Sequence, residues 1–190
     1  MPVVSAEITG DIYKEMQYKI PDIDSLKIIH YPNPILKQES IPVKEINSDI
    51  IALAHKMIEI MIESEGVGLA APQVGISLRL IVISPTCTKE DAEVLVNPEL
   101  TNLIGSTDSE EGCLSLPGIR GKVRRSESCT VTAYDLDGNK FTMDATEFPA
   151  IILQHETDHL EGTLFIDRLN TIGRMAVKRS IKSLEREYED

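Results

Sequence analysis

The hydrophobic rhythm of the chain changes several times, and each change marks an element. From about Ser48 to Ser64, apolar residues recur at Ile50, Leu53, Met57, Ile60 and Met61, the spacing of a helix that buries one stripe. Ser48 reads as its N-cap, and Asp49 suits its first turn. His55 and Lys56 fall on the opposite side, so His55 reads as a solvated histidine. Leu78 to Ser84 is an apolar, β-branched run and reads as a buried strand. Glu93 to Asn97 is a second strand, ended by Pro98. Ser128 to Asp135 alternates, and Asp137-Gly138 turns it into Phe141 to Ala145 as a hairpin. Cys129, Val131 and Ala133 share one face of that hairpin, so Cys129 reads as a small core residue. Ala150 to Gln154 leads into another helix, with Gly162 as its stop, and a last helix spans about Thr171 to Tyr188. Runs of strands bracketed by helices predict an α+β fold rather than a βαβ repeat.

Composition narrows the class without naming a function. A chain of 190 residues fits one domain with a sizeable core. Residues 1–24 read as an N-terminal extension, in which Met16 to Ile20 forms a short strand or turn, and residues 25–190 read as a single domain. The net charge of −12 argues against a nucleic-acid-binding surface. Cys87, Cys113 and Cys129 are an odd number at irregular spacing, which fits a reducing compartment better than a disulfide framework. No apolar run approaches the roughly 20 residues that cross a bilayer. The first 24 residues hold five acids, two lysines and no arginine, the wrong composition for a transit peptide. The expectation is a cytoplasmic protein that meets neither membrane nor sequence-specific nucleic acid.

The chemistry is concentrated in His155-Glu156-Thr157-Asp158-His159, an H-E-x-x-H pattern. On a helix, residues i and i+4 lie one turn apart on one face, so both imidazoles reach one metal ion with Glu156 beside it as a general base. Taken alone, the pattern also fits two packed or solvated histidines. Cys113 lies in Glu110-Glu111-Gly112-Cys113-Leu114-Ser115, a setting too polar for an apolar core slot. A thiolate and two imidazoles make a three-ligand set that leaves one position open for a water of lowered pKa. A third segment, Gly66-Val67-Gly68-Leu69-Ala70-Ala71-Pro72-Gln73, combines two glycines with a glutamine. The glycines fit a helix C-cap or a close backbone approach. Gln73 fits either a surface amide or a donor aimed at an oxyanion, and the sequence leaves both open.

Together the three segments resemble peptide deformylases, whose motifs G-x-G-x-A-A-x-Q, E-G-C-x-S and Q-H-E-x-D-H stand here as Gly66 to Gln73, Glu111 to Ser115 and Gln154 to His159, in that order. The resemblance extends from about Leu26 to Leu169. It implies antiparallel and mixed sheets around a central helix that carries the histidines, followed by a C-terminal helix. It further implies hydrolysis of N-formylmethionyl peptides on nascent chains, releasing formate. One divalent metal, Fe²⁺ foremost with Zn²⁺, Ni²⁺ or Co²⁺ as alternatives, would be held by Cys113, His155 and His159. Glu156 would be the catalytic carboxylate, and the Gln73 side chain and Leu114 backbone N–H the oxyanion donors. Gly66, Val67, Gly68, Leu114, Phe148, Ile151 and Ile152 are candidates for the substrate pocket, with Arg120 for the substrate backbone. Glu111, with Arg125 balancing its charge, is the candidate outer partner of a ligand histidine. In some family members the last helix docks on the ribosome; here Arg174, Lys178, Arg179 and Lys182 are offset by Glu185, Glu187, Glu189 and Asp190, which favours a solvated helix. Two other readings compete: a zincin-type endopeptidase, disfavoured by an upstream cysteine ligand, and a structural metal site, disfavoured by only three plausible ligands.

Overall fold

The computed structural model describes residue 20 and residues 22–189. The strand or turn expected over Met16 to Ile20 therefore lies, Ile20 apart, outside the described residues. The first helix, α1 (Ser48–Glu63), is capped by Asn47, whose side chain accepts from the backbone N–H groups of Asp49 and Ile50. The cap sits one residue before the expected Ser48 because asparagine is as good an acceptor there as serine. Ile50, Leu53, Met57, Ile60 and Met61 are all buried, and His55 is exposed.

Among the described residues, seven strands follow the expected regions only in part. A short β1 (Gly68–Ala70) pairs with β2 (Leu80–Ile83), and β2 pairs with β3 (Glu93–Ile104). The strand expected to stop at Pro98 continues for six more residues. Its register slips between Val96 and Glu99, and Asn97 there takes a positive φ of 51°. A bulge is where a strand tolerates proline, because no ladder donor is required. The chain then folds into a hairpin of β4 (Thr107–Cys113) and β5 (Leu116–Arg125), and continues as β6 (Ser128–Tyr134) and β7 (Lys140–Thr146). The larger sheet runs β1-β2-β3-β6-β7, the β4–β5 pair forms a second sheet, and all these pairings are antiparallel.

Alternation along β2 explains why its four residues are all buried. Leu80 and Val82 join the cluster under α1, while Ile81 and Ile83 join the cluster under α2 (Glu147–Leu160). The five-stranded sheet thus lies between two helices, and α2 is wedged between that sheet and the β4–β5 hairpin. Cys129, Val131 and Ala133 are buried against α2, as the alternation of β6 predicts. Gly162 follows the end of α2 with φ +65°, where a Cβ would stand 2.6 Å from the Lys37 carbonyl oxygen, so only glycine fits. A short 3-10 turn, Phe165–Arg168, then leads to α3 (Thr171–Glu189). Val177, Ile181 and Leu184 of α3 pack with Leu116, Ile119 and Val123 of β5 and with Phe165 of the turn. Among the described residues, no helix is long and apolar enough to cross a membrane.

Candidate active site

Three elements converge to assemble the site. His155 and His159 project from the same side of α2, with ring centroids 5.1 Å apart. Cys113 ends β4 at the hairpin tip, and its Sγ lies 3.3 Å from His159 Nε2. One ligand atom from each of the three residues lies within 4.8 Å of the others, the one such group among the described residues. Gln73 reaches in from the 3-10 turn Ala71–Val74 after β1. Its Oε1 accepts from the Ala70 N–H at 2.8 Å, which turns Nε2 toward Ser115 Oγ (3.3 Å) and Cys113 Sγ (3.4 Å). At 1% exposure, Gln73 is no surface amide.

Electrostatics at the site follow from burial and pairing. Burial pushes the Glu156 carboxyl up to about 7; Glu111 and Asp158 add to the rise, and His155 and Arg125 oppose it. Glu156 Oε2 is buried with no hydrogen-bond partner among the described residues. Glu111 is also buried, but its carboxylate accepts from Arg125 Nε (2.7 Å) and Nη2 (2.9 Å) and lies 2.8 Å from His155 Nδ1. Those partners outweigh burial and hold its pKa at about 2. Burial, reinforced by the charges of His155 and Arg125, holds His159 well below the ordinary histidine value, the neutral form that ligates. Burial also disfavours charge on His155. Bonds with Cys113 and Glu111, together with nearby Glu156, overcome it and favour positive charge on the ring. Surroundings that favour positive charge at His155 also favour a divalent cation beside it. The donor set, its spacing and the orphaned Glu156 oxygen all fit one.

A cleft of about 630 Å³ opens beside Cys113, His155 and Glu156. All eight positions expected for substrate line it: Gly66, Val67, Gly68, Leu114, Arg120, Phe148, Ile151 and Ile152. Leu114 occupies the turn between β4 and β5, directly after Cys113.

Residues 25–175 match the family model for polypeptide deformylase. The chain belongs to the polypeptide deformylase family. It is 48% identical over 164 residues to the peptide deformylase of Acidobacterium capsulatum, covering 85% of this chain and 96% of that one. A relative from Baumannia cicadellinicola is 43% identical, covering 86% and 98%. In structure, a plant peptide deformylase superposes with a TM-score of 0.86 at 35% identity, covering 90% of this chain and 95% of that one. A Legionella pneumophila peptide deformylase gives 0.80 at 39% identity, covering 86% and 97%. The chain is thus a deformylase-family hydrolase that removes the N-formyl group from newly made polypeptides, and its cofactor is a divalent metal.

Several residues around the site escaped sequence reasoning. Ser115 fixes Gln73. Asp158, between the two histidines, accepts from Arg125 Nη1 at 2.7 Å and pairs with Arg168 through both its oxygens. Phe165 stacks on His155 at 6.3 Å between ring centroids. The position of Asp158 inside the H-E-x-x-H turn was a usable signal, since an acid buried on a helix needs a cationic partner. Phe165 and Arg168 gave none, because their contacts are made across the fold.

Proposed function

We propose that Cys113, His155 and His159 hold the divalent metal and that Glu156, Gln73 and Leu114 carry the reaction on the formyl carbonyl. The observation that carries this reading is the convergence of the three ligand atoms within 4.8 Å beside a buried carboxylate oxygen, Glu156 Oε2, that has no hydrogen-bond partner among the described residues. When bound, the cation polarises the carbonyl and acidifies water. Glu156, with a pKa near the working pH, takes the proton of the attacking water and returns it to the departing α-amine. Gln73 Nε2 donates to the developing oxyanion, already oriented by Ala70 and Ser115, and the Leu114 N–H is the second donor. Glu111, held by Arg125, fixes the His155 ring through Nδ1.

Val67, Phe148, Ile151 and Ile152 form the apolar side of the cleft for the methionine side chain. Gly66 and Gly68 line the cleft on the peptide's path, their missing side chains leaving room for Leu114 and Glu156, and Arg120 sits at the rim for the peptide's polar groups. We assign the native metal as Fe²⁺, replaceable by Ni²⁺, Co²⁺ or Zn²⁺, since one thiolate and two imidazoles suit all four. Residues 25–190 act as the catalytic domain with 1–24 as an extension, and the setting is cytoplasmic. Docking of α3 on the ribosome is a second reading, favoured by Ile172 and Met175, 79% and 72% exposed, beside Arg174 and Lys178.

The test is formate release from formyl-Met-Ala-Ser by anaerobically purified protein, with metal measured on the same sample. Formate should appear in step with a new α-amine and be lost in Glu156→Ala while metal is retained. Activity should decay in air and be protected by Ni²⁺ or Co²⁺ substitution. Air-stable turnover with stoichiometric zinc would remove the iron assignment. Co-sedimentation with ribosomes that survives deletion of residues 171–190 would exclude docking through α3.

A further inference from the structure

The 3-10 turn Phe165–Arg168 grips the site from two directions. Phe165, fully buried, stacks on the His155 ring. At the other end of the turn, Arg168 Nε and Nη2 pair with the two oxygens of Asp158. Asp158 also accepts from Arg125 Nη1, and Arg125 spends its remaining donors, Nε and Nη2, on Glu111. Glu111 in turn holds His155 Nδ1. The result is an unbroken chain of charged contacts, Arg168–Asp158–Arg125–Glu111–His155, with two guanidiniums balancing two carboxylates.

The members of this chain differ in exposure. The side chain of Arg125 is 3% exposed and those of Glu111 and Asp158 are 5% and 9%, whereas that of Arg168 is 46% exposed. Three buried charges therefore carry a net charge of −1, and the fourth charge, which cancels it, is reached from the surface. Arg125 is shared between two carboxylates. How firmly it holds Glu111 depends on how much of Asp158's charge is met by Arg168.

We infer that Arg168 is a positioning residue: by neutralising Asp158 it leaves Arg125 committed to Glu111, and so fixes the His155 ring for the cation. This rests on the assignment of Cys113, His155 and His159 as ligands. Without Arg168, Asp158 draws Arg125 toward itself. Glu111 loses part of its bidentate partner, and the His155 ring loses its fixed orientation. Outer partners of a ligand histidine typically change metal affinity by about 10- to 100-fold, and a residue acting through two intermediates belongs at the lower end.

The experiment is chelator competition for Co²⁺ on Co²⁺-loaded protein, comparing wild type, Arg168→Met, Arg168→Lys and Arg174→Met, with melting temperature measured on each. Arg174 is the control. It braces the same turn through the carbonyls of Leu169 and Asp167, and among the described residues it makes no hydrogen bond or ion pair with a member of the charged chain. The expected result is about 10-fold weaker Co²⁺ retention in Arg168→Met, partial recovery in Arg168→Lys, and unchanged retention in Arg174→Met even where its melting temperature falls. Added to Asp158→Asn, Arg168→Met should weaken retention no further, since the link is already cut. Arg168→Met that loses melting temperature but keeps wild-type retention would overturn the inference, as would Arg174→Met weakening retention equally. Wild-type protein that takes up no Co²⁺ would overturn the ligand assignment itself, and this inference with it.

Discussion

Gly68 leaves the space that Glu156 occupies: a Cβ on residue 68 would stand 2.4 Å from Glu156 Oε1 and 2.7 Å from its carboxyl carbon. That contact ties the first sequence motif to the third. Because the obstructing atoms are the end of a side chain, Gly68→Ala should fold, but with Glu156 displaced. The expected result is a fall of at least about 100-fold in kcat/KM, the lower end of what general acid–base catalysis contributes, at unchanged metal content. Turnover within threefold of wild type would show that Glu156 does not need this position.

Gln73 is held at both ends of its amide, so its two functions can be separated. Gln73→Ala removes the donor aimed at the oxyanion and should cost about 100- to 1000-fold in kcat. It also leaves the buried Ala70 N–H without its acceptor, which should lower stability by about 1–3 kcal/mol. Ser115→Ala keeps the donor but removes one of its guides, and should cost far less in rate. A Ser115→Ala defect as large as that of Gln73→Ala, with the protein folded, would shift the role to Ser115.

The site was more legible in the sequence than the scaffold that holds it. Ligands, base and glutamine occupy three short runs whose residue types have few other uses in that order. The β4–β5 hairpin was missed although it presents Cys113. Its first strand, Thr-Asp-Ser-Glu-Glu-Gly-Cys, has no apolar alternation because Glu111 on its inward face is paired with Arg125 instead of packed. β1 went unread, its glycine taken for a helix cap or a close backbone approach, because Gly-Leu-Ala is too short to carry a strand signal and is a strand only because β2 lies beside it. Pro98 reads locally as a stop. The bulge that accommodates it depends on Arg79, whose carbonyl accepts from the Asn97 N–H and whose guanidinium donates to the Pro98 carbonyl. The charged chain from Glu111 to Arg168 joins β4, β5, α2 and the turn after it. Arg125 was expected to balance Glu111, but the continuation through Asp158 to Arg168 crosses the fold and is absent from any local pattern.

Val67 lines the cleft beside Ile151 and Phe148. If these residues receive the methionine side chain, Val67→Trp fills that space and should raise KM for formyl-Met peptides by about 10-fold or more, since overpacking typically costs about 1–3 kcal/mol. Metal content and the rate on a formyl-Gly or formyl-Ala peptide should change much less. An unchanged KM for formyl-Met-Ala-Ser would remove Val67 from the pocket.

Tyr31 ties the N-terminal part of the fold to α3, its hydroxyl donating to Glu185 Oε1 at 2.9 Å. Partial burial, then that hydrogen bond and the nearby carboxylates of Glu185 and Asp167, raise the tyrosine pKa above its ordinary value. A raised pKa in the folded state means that the unfolded chain gives up this proton first as pH rises. The stabilisation is therefore fully present below the ordinary tyrosine value of about 10 and is lost as pH climbs through the folded value. Urea unfolding at pH 8 and pH 10.5 should show an alkaline loss of stability that is smaller in Tyr31→Phe. At pH 8 the same substitution should cost about 1 kcal/mol or less, because the bond is partly solvated. Glu185→Gln should also reduce the alkaline loss, since it removes the charge that opposes tyrosinate. An alkaline loss identical in all three proteins would show that other groups set the high-pH limit and that Tyr31 does not anchor α3 through this bond.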